Sequence, residues 1–404
     1  MSEAPSTWPA NIADVSANDG TASDAAAGFE LNADFERFGQ RNDMFNRAQW
    51  DDTVRSPHTD AFYRSQREPK PRKGDGFSLW DFALSNAAWA VAHDYAARSR
   101  DKGMREGFQD PFQVTMPISP TKAELPAKDE LTARIKQAIK FYGGSIVGIT
   151  AYDERWVYAH AADVGSPTRE DKPSPDLSAM KSVIVIGHAM DYELVRSYPS
   201  ALASAATGRE YSHEAAIVNM VASFIRGIGF NAVGTSNDTA LTIPYAIKAG
   251  LGEYGRNQMV ITAEFGPRIR FSKIFTDLEL DFDQPKSFGV RAYCDQCTVC
   301  AEACPPRALP FGPPSFGGSN RSTVKGVKKW SADCEKCFGF WAKMKIDCAI
   351  CMRVCPYNRD FSKWPARLMR RLMGSPLRGL ARVLNQKLDH GARVAPNAWW
   401  ARRD

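Results

Sequence analysis

The chain has 404 residues, 44% of them hydrophobic and 24% charged, enough for one large domain or two to three ordinary ones, which excludes a mainly disordered, collagenous or disulfide-stapled miniature protein. Its net charge of +6 is concentrated at the end: residues 363–404 hold ten Lys/Arg against two Asp, a local +8 that leaves −2 for the first 362 residues. A body that is not basic disfavours a general nucleic-acid binder, and no run of about 18 apolar residues marks a membrane span.

Residues 1–27 are rich in Ala, Ser, Asp and Gly without an apolar period, which predicts a disordered or loosely draped arm. They carry neither a secretory leader nor a twin-arginine pair, so a cytoplasmic location is expected. Residues 28–114 read as an irregular extension with one mostly buried helix near 77–98. From 115 to 290 the patterns alternate. Leu131, Ile135, Ala138 and Ile139 form a helical face, and Ile217, Met220, Val221, Phe224, Ile225 and Ile228 form another. Strands are predicted at 145–150, 182–187, 230–233, 258–263 and 269–275, with a helix at 241–249. This is an α/β layer domain, with the sheet either parallel or mixed. Residues 291–362 are a separate small module of cysteines, prolines and short loops. The tail, 363–404, sets Leu368, Leu372, Leu377, Leu380, Leu384 and Leu388 at near-helical spacing among arginines.

All nine cysteines lie between Cys294 and Cys355, a clustering that points to metal rather than to an oxidised scaffold. Cys294-x2-Cys297-x2-Cys300-x3-Cys304-Pro305 is the bacterial ferredoxin run. Such spacing lets one loop wrap an iron–sulfur cube while the fourth cysteine reaches a second one. A second run, Cys348-x2-Cys351-x3-Cys355-Pro356, lacks its first ligand, which either Cys334 or Cys337 can provide. One cluster then takes Cys294, Cys297, Cys300 and Cys355, and the other takes Cys304, Cys348, Cys351 and that upstream cysteine. Two 4Fe–4S clusters in series are a one-electron relay, and the 290 residues ahead of them must hold what accepts the electrons.

The α/β domain has no Gly-x-Gly-x-x-Gly after a strand and no phosphate-binding P-loop, so nicotinamide, flavin and nucleotide sites are unsupported. Gly250, Gly252 and Gly255, followed by Arg256 and Asn257, form a glycine-rich stretch that is either a turn or a cofactor contact. The six histidines do not pair at metal spacing, and none sits in the Asp-x-His-x-x-Gly context that offers a corrinoid a lower ligand.

From about residue 181 to 359 the sequence resembles the reductive dehalogenases and, on the same plan, the epoxyqueuosine reductases. The resemblance rests on Ala249-Gly250-Leu251-Gly252-Glu253 with Gly255-Arg256-Asn257, on Phe265-Gly266-Pro267-Arg268-Ile269-Arg270, and on Thr276-Asp277-Leu278 and Phe288-Gly289-Val290. Glu335-Lys336-Cys337-Phe338 with Trp341 and Asp347-Cys348 resembles the family's truncated second run and singles out Cys337 over Cys334. Weaker similarity reaches back to residues 35–50 and out to Trp399-Trp400.

The resemblance implies a nitroreductase-like, corrinoid-binding α/β domain fused to a two-cluster bacterial-type ferredoxin domain. The cofactors implied are two 4Fe–4S clusters and a base-off corrinoid (cobalamin), to which the glycine-rich residues Gly250, Gly252, Gly255, Arg256 and Asn257 are assigned as contacts. Tyr211 matches the family's proton-donating tyrosine, with Arg270 beside it to lower the phenol's pKa and Asn237 to orient donor or substrate. Glu210 is the alternative donor, since epoxyqueuosine reductases carry an acid there. The activity implied is reductive dehalogenation of an organohalide, R–X + 2e⁻ + H⁺ → R–H + X⁻, by attack on the halogen or by electron transfer to the substrate. A tRNA-modifying epoxyqueuosine reductase and a non-catalytic electron carrier are the alternatives. A separate low-potential donor is expected: a ferredoxin, flavodoxin or reductase. No nucleic-acid partner is expected. The basic tail is read as mainly structural, with peripheral membrane contact as its second use.

Overall fold

An unbroken run of β-branched residues, Val183 to Ile186, marks the centre of the molecule. The computed structural model describes residues 24–65, 71–72, 74–101, 116–163, 165–388 and 390–402. Its main sheet has four strands, β1 (Ile146–Ala151), β2 (Ser182–Ala189), β3 (Ala232–Thr235) and β4 (Ile269–Thr276), in the order β1-β2-β4-β3. Every pairing is antiparallel, so the sheet is neither parallel nor mixed. Along β2, Val183 and Val185 enter one core while Ile184 and Ile186 enter the other. Both faces are therefore covered, which explains why β2 is apolar without a polar side.

On one face, helices Lys128–Phe141 and Ala201–Gly227 bring Leu131, Ile135, Ile139, Ile217, Val221 and Ile225 onto Ile149, Ile184, Ile186 and Ile274. On the other, Trp156, Tyr245 and Ile247 meet Val183, Val185, Val233 and Phe275.

The helix expected around 217–228 begins much earlier, at Ala201, where the Ser200 side chain accepts from the Ala203 N–H at 3.0 Å. Its opening residues, Ala201 to Ala206, are mostly small and all buried, so they show no apolar period. The helix expected at 77–98 is two helices, Leu79–Ala88 and Ala90–Asp101, hinged at Trp89; Ser78 and Asp81 form a capping box at the start. A Cβ on Gly208 would stand 2.5 Å from the Trp89 indole, so the long helix needs glycine there to let that ring approach.

Two expectations are corrected. Residues 1–23 lie outside the described residues, but Asp24 is not loosely draped: it pairs with Arg155 at 2.6 Å and Lys248 at 2.8 Å. The extension after residue 28 is not simply irregular either. Helices Met44–Trp50 and Pro57–Ser65 pack Ala48 and Phe62 against Phe338 and Ala342 of helix Cys334–Met344, and Arg47 pairs with Glu335 at 2.8 Å. The strand expected at 258–263 shrinks to Val260–Ile261, paired with Glu253–Tyr254. The tail forms helices Trp364–Gly374, Arg378–Lys387 and Pro396–Trp400. Among the described residues no helix is long and apolar enough to cross a membrane.

Candidate active site and cysteine quartets

The long helix and β4 meet at the wall of a cavity of about 1040 Å³. Tyr211 and Glu214 lie three residues apart, hence on one side of the helix. Arg270, near the start of β4, reaches across to both. Its guanidinium carbon lies 3.3 Å from the Tyr211 ring centroid, and its Nη2 and Nε donate to the Glu214 carboxylate at 3.0 and 3.3 Å. Asn237 follows β3; its Nδ2 donates to the Tyr211 oxygen at 2.7 Å while its Oδ1 accepts from Arg270 at 3.3 Å. Trp89 stacks on the opposite side of Tyr211, with ring centroids 4.5 Å apart. Tyr211, Asn237 and Arg270, far apart in sequence, thus form one hydrogen-bonded group, and all three line the cavity.

The Tyr211 phenol lies above its ordinary pKa. Burial is the main cause and the Glu214 charge adds to it; Arg270 and Asn237 pull the other way without prevailing. The expected lowering by a neighbouring cation is therefore present as a component but not as the net direction. The phenol stays protonated at neutral pH.

Glu214 was not singled out by the sequence reading. It is 0% exposed, bound by Arg270 and by the Ser236 hydroxyl. Burial raises its carboxyl, opposed first by the Arg270 charge. Lys273, also fully buried, donates to the Ser236 carbonyl and to Thr242 Oγ1 and so fixes the loop that presents Asn237. Burial lowers this lysine to about 7, against the pull of Asp238 and Glu214. A glutamate one turn beyond the tyrosine, directly followed by the apolar run Ala215 to Val218, was the signal available in the sequence.

Glu210, the alternative donor, is buried and held by Arg209 at 2.7 Å, with His213 3.5 Å away. It is absent from the cavity lining.

The glycine-rich stretch also lies elsewhere. A Cβ at Gly250 would stand 2.3 Å from the Gln284 carbonyl oxygen, and one at Gly252 2.3 Å from that of Ile261. A Cβ at Gly255 would stand 2.9 Å from the Asn257 side chain. These glycines admit the protein's own chain. Arg256 is buried and donates to the carbonyls of Cys294, Pro310 and Gly312, tying the cysteine module to the α/β layer. Asn257 is buried, and its Oδ1 accepts from the Met259 N–H at 3.3 Å. None of these five lines the cavity, whereas Tyr254 and Gln258 from the same stretch do.

The cysteines gather into two sets. Cys294, Cys297 and Cys355 share a core with Met373 and Ala381. Burial raises the Cys355 thiol well above its ordinary range, and its thiol neighbours are Cys294, Cys300 and Cys297. Burial likewise raises Cys351, whose thiol neighbours are Cys337, Cys300, Cys348 and Cys304. Cys300 therefore faces both sets, where they adjoin. Cys337 has Cys348, Cys334 and Cys304 as its thiol neighbours. Cys334 is turned toward Gln258 and Lys329. Among the described residues no three such side chains converge tightly enough for a single metal ion. The second set adjoins the cavity: Trp341, on the helix that carries Cys337, and Asp347, beside Cys348, both line it.

Residues 175–280 match the family model described as reductive dehalogenase subunit, and residues 293–359 match that of a 4Fe–4S dicluster domain. The expected α/β layer joined to a C-terminal dicluster domain is thus the fold of this chain. Tetrachloroethene reductive dehalogenase of Dehalobacter restrictus is 33% identical over 347 residues, covering 70% of this chain and 63% of that protein. The protein of the same name from Sulfurospirillum multivorans is 32% identical over 253 residues, covering 57% of this chain and 50% of its own length. The chain thus spans under two thirds of the length of these relatives. Among solved structures, the catabolic reductive dehalogenase NpRdhA shares the fold with a TM-score of 0.69 at 23% identity, over 90% of this chain and 48% of its own.

Proposed function

We propose that this chain replaces a halogen by hydrogen on an organohalide, R–X + 2e⁻ + H⁺ → R–H + X⁻, at a base-off corrinoid supplied with electrons through two 4Fe–4S clusters. The observation that carries the reading is the Tyr211–Asn237–Arg270 group on the wall of a large cavity that adjoins the cysteines.

The residues present fit a corrinoid. A cavity of about 1040 Å³ is at the upper end for small-molecule sites. The indole N–H groups of Trp156 and Trp341, both in the lining, have no partner among the described residues. Arg291, Lys328 and Lys329 give one part of the lining the cations that a phosphate and amide side arms would use. Tyr254, Gln258 and Trp330 would stand beside them in holding the group. When bound, a corrinoid supplies low-valent cobalt, the reductant for the carbon–halogen bond. Cys294, Cys297, Cys300 and Cys355 would hold one cluster, and Cys304, Cys337, Cys348 and Cys351 the other, which together supply one-electron steps.

The chain's own contribution is the proton. Tyr211 keeps it at Oη, Asn237 holds that oxygen at 2.7 Å, and Arg270 lies over the ring to meet the negative charge that donation leaves. Trp89 closes the other side of the ring. The tethering of Glu210 to Arg209 favours this reading over the epoxyqueuosine alternative.

The test is anaerobic reconstitution followed by a screen of chloro- and bromo-arenes and alkenes with an artificial low-potential reductant. One halide and one hydrodehalogenated product per two electrons is expected. Fully loaded protein that releases no halide from any member would sink the proposal.

A further inference from the structure

The two longer tail helices roof the set of cysteines formed by Cys294, Cys297 and Cys355. Met373 of Trp364–Gly374 and Ala381 of Arg378–Lys387 are completely buried in the same core as Cys294, Cys297 and Cys355. The outer surface is unlike the rest of the molecule. Trp364, Leu368, Leu377, Leu380 and Leu388 are all more than half exposed there, from 52 to 68%. Arg367, Arg371, Arg382 and Lys387 are exposed among them. Residues 364–388 contain no Asp or Glu, and among the described residues none of these four cations enters an ion pair. Arg382 is close enough for its charge to act on the Cys297 thiol.

An exposed apolar patch ringed by cations is a surface built for a partner. Three features argue for its kind. The patch lies on the helices that cover Cys294, Cys297 and Cys355. Its charge is of one sign, which complements an anionic protein and speeds its encounter. Its apolar side chains are interleaved with cations, a mixed surface unlike the more hydrophobic obligate interfaces.

We propose that the outer face of the two tail helices is the docking surface for an acidic, low-potential electron-carrier protein. The carrier loses one electron per encounter to the cluster held by Cys294, Cys297, Cys300 and Cys355, and two encounters supply the two electrons of one turnover. The inference rests on the two-cluster reading above. It goes beyond that reading by assigning the point of entry.

The test uses the reconstituted full chain, an acidic flavodoxin reduced to its hydroquinone as probe, and the double variant Arg371→Glu/Lys387→Glu. Both side chains are exposed and lie outside the cysteine sets. Stopped-flow bleaching of the iron–sulfur absorbance by flavodoxin should slow by about tenfold or more at low salt, with a flatter salt dependence. Bleaching by dithionite, which needs no docking face, should be unchanged. Titration calorimetry should show the same loss of flavodoxin affinity. Equal rates and affinities for the variant and the parent chain would overturn the proposal. So would sedimentation of the parent chain with phosphatidylglycerol vesicles at physiological salt, if charge reversal left flavodoxin reduction untouched, because the face would then belong to lipid. Absence of iron–sulfur absorbance after reconstitution would fail the cluster reading instead, and calorimetry would still report on the face.

Discussion

The Tyr211–Asn237–Arg270 group and the cysteine module are made in opposite ways. Tyr211, Asn237 and Arg270 come from a helix, a loop and a strand, and they meet only because the sheet and the long helix pack around a buried carboxylate, Glu214. The cysteines come from two short runs whose spacing already encloses a cofactor. One site is held by its surroundings, the other by its own loop. The first should be sensitive to residues that never touch substrate, and the second mainly to its ligands.

The largest effect is expected at Tyr211. Tyr211→Phe keeps the ring between Trp89 and Arg270 but removes its proton, and should lower dehalogenation by about a hundredfold or more with cobalt and iron content unchanged. Full activity in a cofactor-replete variant would remove the tyrosine from the chemistry.

On the cysteine side, the parent chain should hold about eight irons and one cobalt after anaerobic loading. Cys337→Ala should lose roughly half of the iron–sulfur signal, because a 4Fe–4S cube needs four thiolates. Cys334→Ala should keep all of it, since Cys334 faces Gln258 and Lys329. The reverse result would exchange the two ligands.

Glu214→Gln tests the surroundings directly. A phenol whose pKa is raised stays protonated through neutral pH and loses its proton only as the pH climbs past the raised value. Activity should therefore be limited on the alkaline side alone. Removing the Glu214 charge takes away one of the contributions that raise Tyr211, so the alkaline limb of kcat/KM should move to lower pH. An unmoved limb, with a uniform loss of activity, would leave Glu214 a merely structural residue.

The smallest effect is expected from Trp89→Leu, which keeps bulk against Gly208 but loses the aromatic face over Tyr211. A loss of about 0.5–1.5 kcal/mol of stability is the scale of such a ring pair. It is measured as a shift in denaturant midpoint.

What could be read in the sequence follows the same division. The cysteine runs were legible because their ligands lie within a few residues of one another. Strands β1 and β2 were legible because Ile and Val dominate them, and β4 from its Ile and Phe residues, but their order and antiparallel sense depend on long-range pairing that no local pattern encodes. The opening of the long helix, Ala201 to Ala206, was missed because all of it is buried, which removes periodicity. Tyr211, Asn237 and Arg270 were proposed through resemblance, since nothing local marks them, and the fold brings the three together. Gly250, Gly252 and Gly255, assigned through the same resemblance, make room for the protein's own atoms, while Tyr254 and Gln258 face the cavity. Glu214, one turn past Tyr211, was overlooked because a single carboxylate in a helix ordinarily faces water.

The clasp of Met44–Trp50 and Pro57–Ser65 on Cys334–Met344 bears on the history of each molecule. Arg47 meets Ser322, 275 residues later in the chain. During synthesis the early helices emerge long before the segment that covers them, and their apolar sides wait for it. Contacts of such sequence separation form late and slowly. The scaffold of the cysteine module is therefore closed by Met44–Trp50 and Pro57–Ser65 only after the last cysteines have been made, and the unclosed chain presents Phe62 and Ala48 to whatever else is nearby.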